Sequence, residues 1–78
     1  MRTEEEIRNM YRNYIYRYAI ADLNGKRTAA YEYYGAAIAT GRTLGRDMKR
    51  INKDFGTAKS FIKRLREEGK QLPGFKDV

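Results

Sequence analysis

Residues 46–69 read Arg46-Asp47-Met48-Lys49-Arg50-Ile51-Asn52-Lys53-Asp54-Phe55-Gly56-Thr57-Ala58-Lys59-Ser60-Phe61-Ile62-Lys63-Arg64-Leu65-Arg66-Glu67-Glu68-Gly69, and the way this stretch divides decides the fold. The pattern predicts two short helices, at about residues 45 to 55 and 57 to 69, broken at Phe55-Gly56-Thr57, because glycine accepts the positive φ of a sharp turn. A helix-turn-helix unit places its turn at such a break, with apolar residues ahead of it packing on the second helix. Ile51 and Phe55 are expected to meet Ile62 and Leu65 in that way. Thr57 is suited to cap the second helix, which leaves Lys59, Ser60, Lys63 and Arg64 on the amino-terminal and outer face, where a recognition helix meets bases and phosphates.

The 78 residues allow one domain, and a chain of this length buries only about 60–65% of its unfolded surface, so the core is small. Upstream of the decisive stretch, Thr3 and Glu6 have capping-box spacing, which starts a first helix near residue 4. Its apolar stripe is Ile7, Met10, Tyr11, Tyr14, Tyr18 and Ala21, at steps of three and four, and Asn24-Gly25 ends it near residue 24. A second helix is expected at about residues 27 to 40, with Ala30, Tyr33, Tyr34, Ala37 and Ile38 on one face. Gly35, Ala36 and Ala39 form a small-residue surface beside that face, and small residues let another helix come close. Gly41-Arg42-Thr43-Leu44-Gly45 reads as a linker, since it lacks the Gly-Lys-Ser/Thr ending of a phosphate loop. The expected architecture is all-α, one domain of four helices over residues 1–78, with a tyrosine-rich hairpin at 1–42 and a basic helix-turn-helix-like segment at 43–78. The tail from Lys70 to Val78 is expected to pack loosely.

Composition narrows the chemistry. The chain has no cysteine and no histidine, which removes disulfides, thiol nucleophiles, imidazole bases and the usual zinc ligand sets. The ten carboxylates show no isolated pair in an apolar setting that could divide acid and base roles. They read as caps and helix ion pairs, Glu4 with Arg8 among them. The chain is therefore expected not to be an enzyme, with no catalytic residue, no metal site and no cofactor. With no long apolar run and an acidic start at Glu4-Glu5-Glu6, neither a membrane span nor a signal peptide is expected, which implies a soluble cytoplasmic protein.

Seventeen Lys and Arg against ten Asp and Glu give +7, a balance suited to a polyanion. Residues 1–44 hold 7 basic and 5 acidic side chains and residues 45–78 hold 10 and 5, so the charge concentrates in the second half. The expected nucleic-acid contacts are Arg46, Lys49, Arg50, Thr57, Lys59, Ser60, Lys63 and Arg64. The seven tyrosines suit a packed seam or a subunit interface better than stacking on bases. Tyr11, Tyr14, Tyr18, Tyr33 and Tyr34 are the candidates for a homodimer surface, and Tyr16, off the main stripe, is the tyrosine expected to be exposed.

Residues 46–76 resemble the helix-turn-helix of small phage and plasmid regulators, the excisionase and MerR-type winged-helix families. The resemblance rests on the apolar-Gly turn, the basic helix ending in Glu68-Gly69, and the following Leu72-Pro73-Gly74-Phe75-Lys76. Asn52 stands where those families usually carry alanine and Thr57 where they carry Val or Ile. The resemblance implies a small DNA-binding protein of phage or mobile-element type, acting in transcription regulation, with duplex DNA as partner and residues 57–69 as recognition helix. A second reading stays open: a phage-encoded anti-defence inhibitor or adaptor, anti-CRISPR-like, acting on a host protein or nucleoprotein by protein contact.

Overall fold

Thr3 begins the first helix as its spacing predicts. Its backbone is extended and its Oγ1 accepts the Glu6 amide at 3.2 Å, while its hydroxyl donates to Glu6 Oε1 at 3.3 Å. In this computed structural model, which describes residues 3–70, the helices are α1 (Glu4–Leu23), α2 (Arg27–Thr43) and α3 (Met48–Glu67). The fold is a single all-α domain, with no strand among the described residues. No helix among them is long and apolar enough to cross a membrane.

All three helices end in the same way. Gly25, Gly45 and Gly69 take φ values of 74°, 81° and 68°, and the next amide, of Lys26, Arg46 and Lys70, donates back at 2.9 Å to the carbonyl of Ala21, Gly41 and Leu65. This is the Schellman arrangement, which satisfies carbonyls that the last turn leaves open. Each of these glycines is followed by a cation, placed where the helix dipole is negative.

The helices run up, down and up, with α1 between the other two. α1 and α3 are parallel: Tyr11 reaches Asp54, Asp22 reaches Lys59 and Asn24 reaches Arg66. The core consists of Tyr11, Ile15 and Ala19 from α1, Ala37 from α2, and Ile51, Phe55, Ala58 and Ile62 from α3. The expected α1 stripe omitted Ile15 and Ala19. A helix with partners on two sides buries an arc wider than a single stripe, and these residues lie within it. The tyrosine seam between α1 and α2 is present, with Tyr14 and Tyr33 ring centroids 6.5 Å apart and Tyr18 and Tyr34 5.6 Å apart. Phe55 closes the second pair from α3, at 4.6 Å from Tyr18 and 4.9 Å from Tyr34.

The helices converge at Gly41. A Cβ there would lie 2.8 Å from Ile51 Cδ1 and 2.8 Å from Tyr11 Cε1, so glycine is what lets α2 approach both neighbours. Gly41 was expected in a linker after a helix ending near residue 40. It is instead buried inside α2, which continues to Thr43.

The largest correction concerns residues 55–57. No turn forms there, and the expected helices at 45 to 55 and 57 to 69 are one 20-residue helix, α3, so the domain has three helices and not four. Gly56 is helical and its φ is not positive. The reason is visible in the spacing: Ile51, Phe55, Ala58, Ile62 and Leu65 recur at steps of four and three across Gly56 without a break. Keeping that stripe on α1 outweighs the roughly 1 kcal/mol that a glycine costs a helix interior. Ile51 and Phe55 therefore share a face with Ile62 and Leu65 and do not oppose them. The expected loose tail and the Leu72–Lys76 part of the resemblance lie, from residue 71 onward, outside the described residues.

Candidate nucleic-acid interface

The apolar stripe of α3 fixes where its charges go. Opposite Ile51, Phe55, Ala58 and Ile62, the helix presents Lys49, Lys53, Gly56, Ser60, Lys63 and Arg64, with one carboxylate, Glu67, at its carboxyl end, all exposed. Lys49, Lys53, Lys63 and Arg64 form no ion pair with any described residue. Positions 49 to 64 span roughly 20 Å of helix. The continuity of α3 thus makes one cationic face where two separate helices would have offered two shorter ones.

The other expected contact residues are placed differently. Arg46 and Arg50 converge on Asp54: Arg46 Nη1 donates to Oδ2 at 3.1 Å and Arg50 Nε to Oδ1 at 3.2 Å. The Tyr11 hydroxyl donates to the same Oδ2 at 2.6 Å, and the Arg46 guanidinium lies 4.6 Å from the centre of the Tyr11 ring. Burial, followed by the hydrogen bond to the Asp54 carboxylate, pushes the Tyr11 hydroxyl up to about 12. This network fixes the Arg46 guanidinium by its face and by one nitrogen. Lys59 lies on the other edge of α3, where its ammonium pairs with Asp22 at 2.7 Å, and that hydrogen bond raises its pKa. It is not part of the outward face.

Thr57 is not a cap, since α3 passes through it, and the N-cap is Asp47, whose Oδ1 accepts the Arg50 amide at 2.9 Å. Thr57 instead lines a groove of about 220 Å³ between α1 and α3, together with Arg8, Arg12, Tyr11, Tyr16, Arg46 and Asp54. Arg12 is exposed and forms no ion pair with a described residue, whereas Arg8 pairs with Glu4 at 2.9 Å. The groove adjoins the Arg50 edge of α3 and extends the positive surface toward α1.

Two contributors were not in the expected set. Lys53 continues the outward ridge one turn after Lys49, a relation that the expected helix at 45 to 55 already contained. Arg12 comes to α3 through the parallel packing of α1, which no local spacing encodes.

The candidate interface tyrosines are taken up within the chain. Tyr11 is buried, and Tyr14, Tyr18, Tyr33 and Tyr34 pack on one another and on Phe55. Tyr16 is half-buried and packs on Phe61 with centroids 5.8 Å apart. The exposed tyrosine is Tyr31, at 81%. No family model, curated protein or solved structure matches the chain.

Proposed function

We propose that the protein binds nucleic acid, duplex DNA first, through the outward face of α3. The observation supporting this reading is the row of Lys49, Lys53, Lys63 and Arg64, four cations along one helix with no acidic partner among the described residues. Duplex DNA carries about one charge per 1.7 Å, and cations that neutralise phosphates release counterions, which drives association at low salt. An α-helix fits the roughly 12 Å width of the major groove. Without a turn at residues 55–57, α3 engages DNA as one rod braced by α1, and the small Gly56 and Ser60 at mid-face keep its surface low. Arg12 and Thr57 in the adjoining groove supply further phosphate contacts. Contacts of this kind position a protein on the backbone and carry little sequence information.

The test is a fluorescence-anisotropy titration of the pure protein with random duplex and single-stranded DNA at about 50 mM and 200 mM salt. The expected result is duplex binding that falls steeply with salt. The combined Lys49→Ala, Lys53→Ala, Lys63→Ala and Arg64→Ala variant should lose about 0.9 of logarithmic salt slope per phosphate contact removed. A folded wild-type protein that leaves both DNAs unbound at the lower salt refutes the proposal, and the protein-directed inhibitor reading then takes its place.

A further inference from the structure

One long face of α2 is exposed to solvent. The helix packs inward through Ala30, Ala37 and Gly41, and on its other side Thr28, Tyr31, Glu32, Gly35, Ala39 and Arg42 are all exposed. Three features of this face bear on what could cover it. Tyr31 is the only large apolar side chain left exposed among the described residues. Glu32 and Arg42 have no ion-pair partner among those residues. Gly35 sits in mid-helix with open space where a Cβ would be, so the fold gains nothing there for the helix propensity that glycine loses.

The charges on this face are self-complementary. Glu32 precedes Ala37 by five positions and Arg42 follows it by five, while Gly35 and Ala39 stand two positions to either side. Lay a second copy of α2 antiparallel across this face, with the two-fold axis level with Ala37, and Glu32 comes level with Arg42 of the partner subunit. The symmetry repeats the pair at the other end. A parallel arrangement would instead set Glu32 on Glu32 and Arg42 on Arg42. At the centre, Gly35 and Ala39 leave room for close approach.

We propose that the outward face of α2 is a two-fold homodimer interface, antiparallel, held by two Glu32–Arg42 pairs and covered at its ends by Tyr31. An isologous contact of this kind closes on itself and forms no fibre. The proposal is independent of nucleic-acid binding, because it uses none of the α3 cations. One helix of 17 residues is about 25 Å long, and its face falls short of the roughly 800 Å² per partner of a standard stable interface. The dimer is therefore a weak one.

Sedimentation of the full chain from about 10 μM to about 1 mM, at moderate salt to screen the repulsion between like-charged copies, reads the equilibrium directly. Glu32→Arg alone and Arg42→Glu alone each set like charges opposite one another and should weaken self-association roughly tenfold or more. The double variant Glu32→Arg/Arg42→Glu should regain wild-type association. Mixing the two single variants should give a heterodimer, because both pairs are then matched. All these side chains are exposed, and a melting curve for each variant shows whether the fold is intact. A wild-type protein that stays monomeric near 1 mM, single swaps that change nothing, or a double swap that fails to recover association would each overturn the proposal.

Discussion

The same substitution at two glycines of α2 should have opposite signs. At Gly41, a methyl group would meet Ile51 Cδ1 and Tyr11 Cε1 at 2.8 Å and Ile51 Cγ1 at 3.0 Å. Neither neighbour can easily give way. Ile51 is 0% exposed, so its side chain has no free volume to swing into, and the Tyr11 ring is held by its bond to Asp54 and by Arg46 over its face. Overpacking of this kind costs about 1–3 kcal/mol, and three contacts this short place Gly41 in the upper part of that range. Alanine returns about 1 kcal/mol of helix propensity, which leaves a net destabilisation of about 1–2 kcal/mol for Gly41→Ala. At Gly35 nothing lies within 4 Å of the added Cβ, so Gly35→Ala keeps the propensity gain and stabilises by about 0.5–1 kcal/mol. For a domain of this size each kcal/mol moves Tm by about 4–8 °C, so the two variants should melt roughly 10 °C apart, on either side of the wild type. Thermal unfolding followed by circular dichroism, with urea unfolding as the second axis, measures this in dilute solution. If both variants gained equal stability, the tight meeting of Gly41, Tyr11 and Ile51 would not exist as described.

Other perturbations test the remaining contacts. Tyr11 ionises in the folded protein at about 12 but near 10 when unfolded. Its contribution is thus complete below pH 10 and is lost between about 10 and 12, on the order of 2 kcal/mol in all; Tyr11→Phe should flatten the alkaline limb of the stability curve and cost about 1 kcal/mol at neutral pH. Asp47→Ala removes the α3 cap bond to the Arg50 amide and should cost about 1 kcal/mol in urea unfolding, while Asp47→Asn should retain most of it. Lys59→Met breaks a solvent-screened pair with Asp22, so it should change stability by less than about 1 kcal/mol. Because Lys59 lies off the outward face, the same variant should leave the salt slope of DNA binding unchanged, and an equally large loss from Lys59→Met and Lys63→Met would contradict the assignment of the face.

Much of this fold is legible locally. The Thr3–Glu6 spacing, the Asn24-Gly25 stop and the meeting of tyrosines across α1 and α2 depend on residues a few positions apart or on a short hairpin. What local reading could not do was distinguish among the glycines. Gly25, Gly45 and Gly69 end helices, whereas Gly35, Gly41 and Gly56 lie inside them, and the residue itself is the same. The distinguishing signal was the apolar period on either side: it continues from Phe55 to Ala58 across Gly56 and stops at Gly25. Half of the candidate interface followed from that error. Once the helix is continuous, Lys63 and Arg64 line up with Lys49 and Lys53, and Thr57 moves from a cap to a groove wall. Arg50 meets Asp54 at a four-residue step that the sequence carries, whereas the Asp22 partner of Lys59 and the Tyr11 hydroxyl on Asp54, 43 positions away, come only from the parallel alignment of α1 and α3.

That parallel alignment also has a consequence for joining copies of the chain. With three helices running up, down and up, Thr3 and Lys70 lie at opposite poles of a bundle 38 Å long. Extended chain spans at most about 3.5 Å per residue, so a linker closing pole to pole needs on the order of 11 residues laid along the outside, and a shorter one would have to unravel a helix end. Circular permutation is thus costly here, while tandem fusion is simple, because the end of one copy and the start of the next need no linker that crosses the bundle.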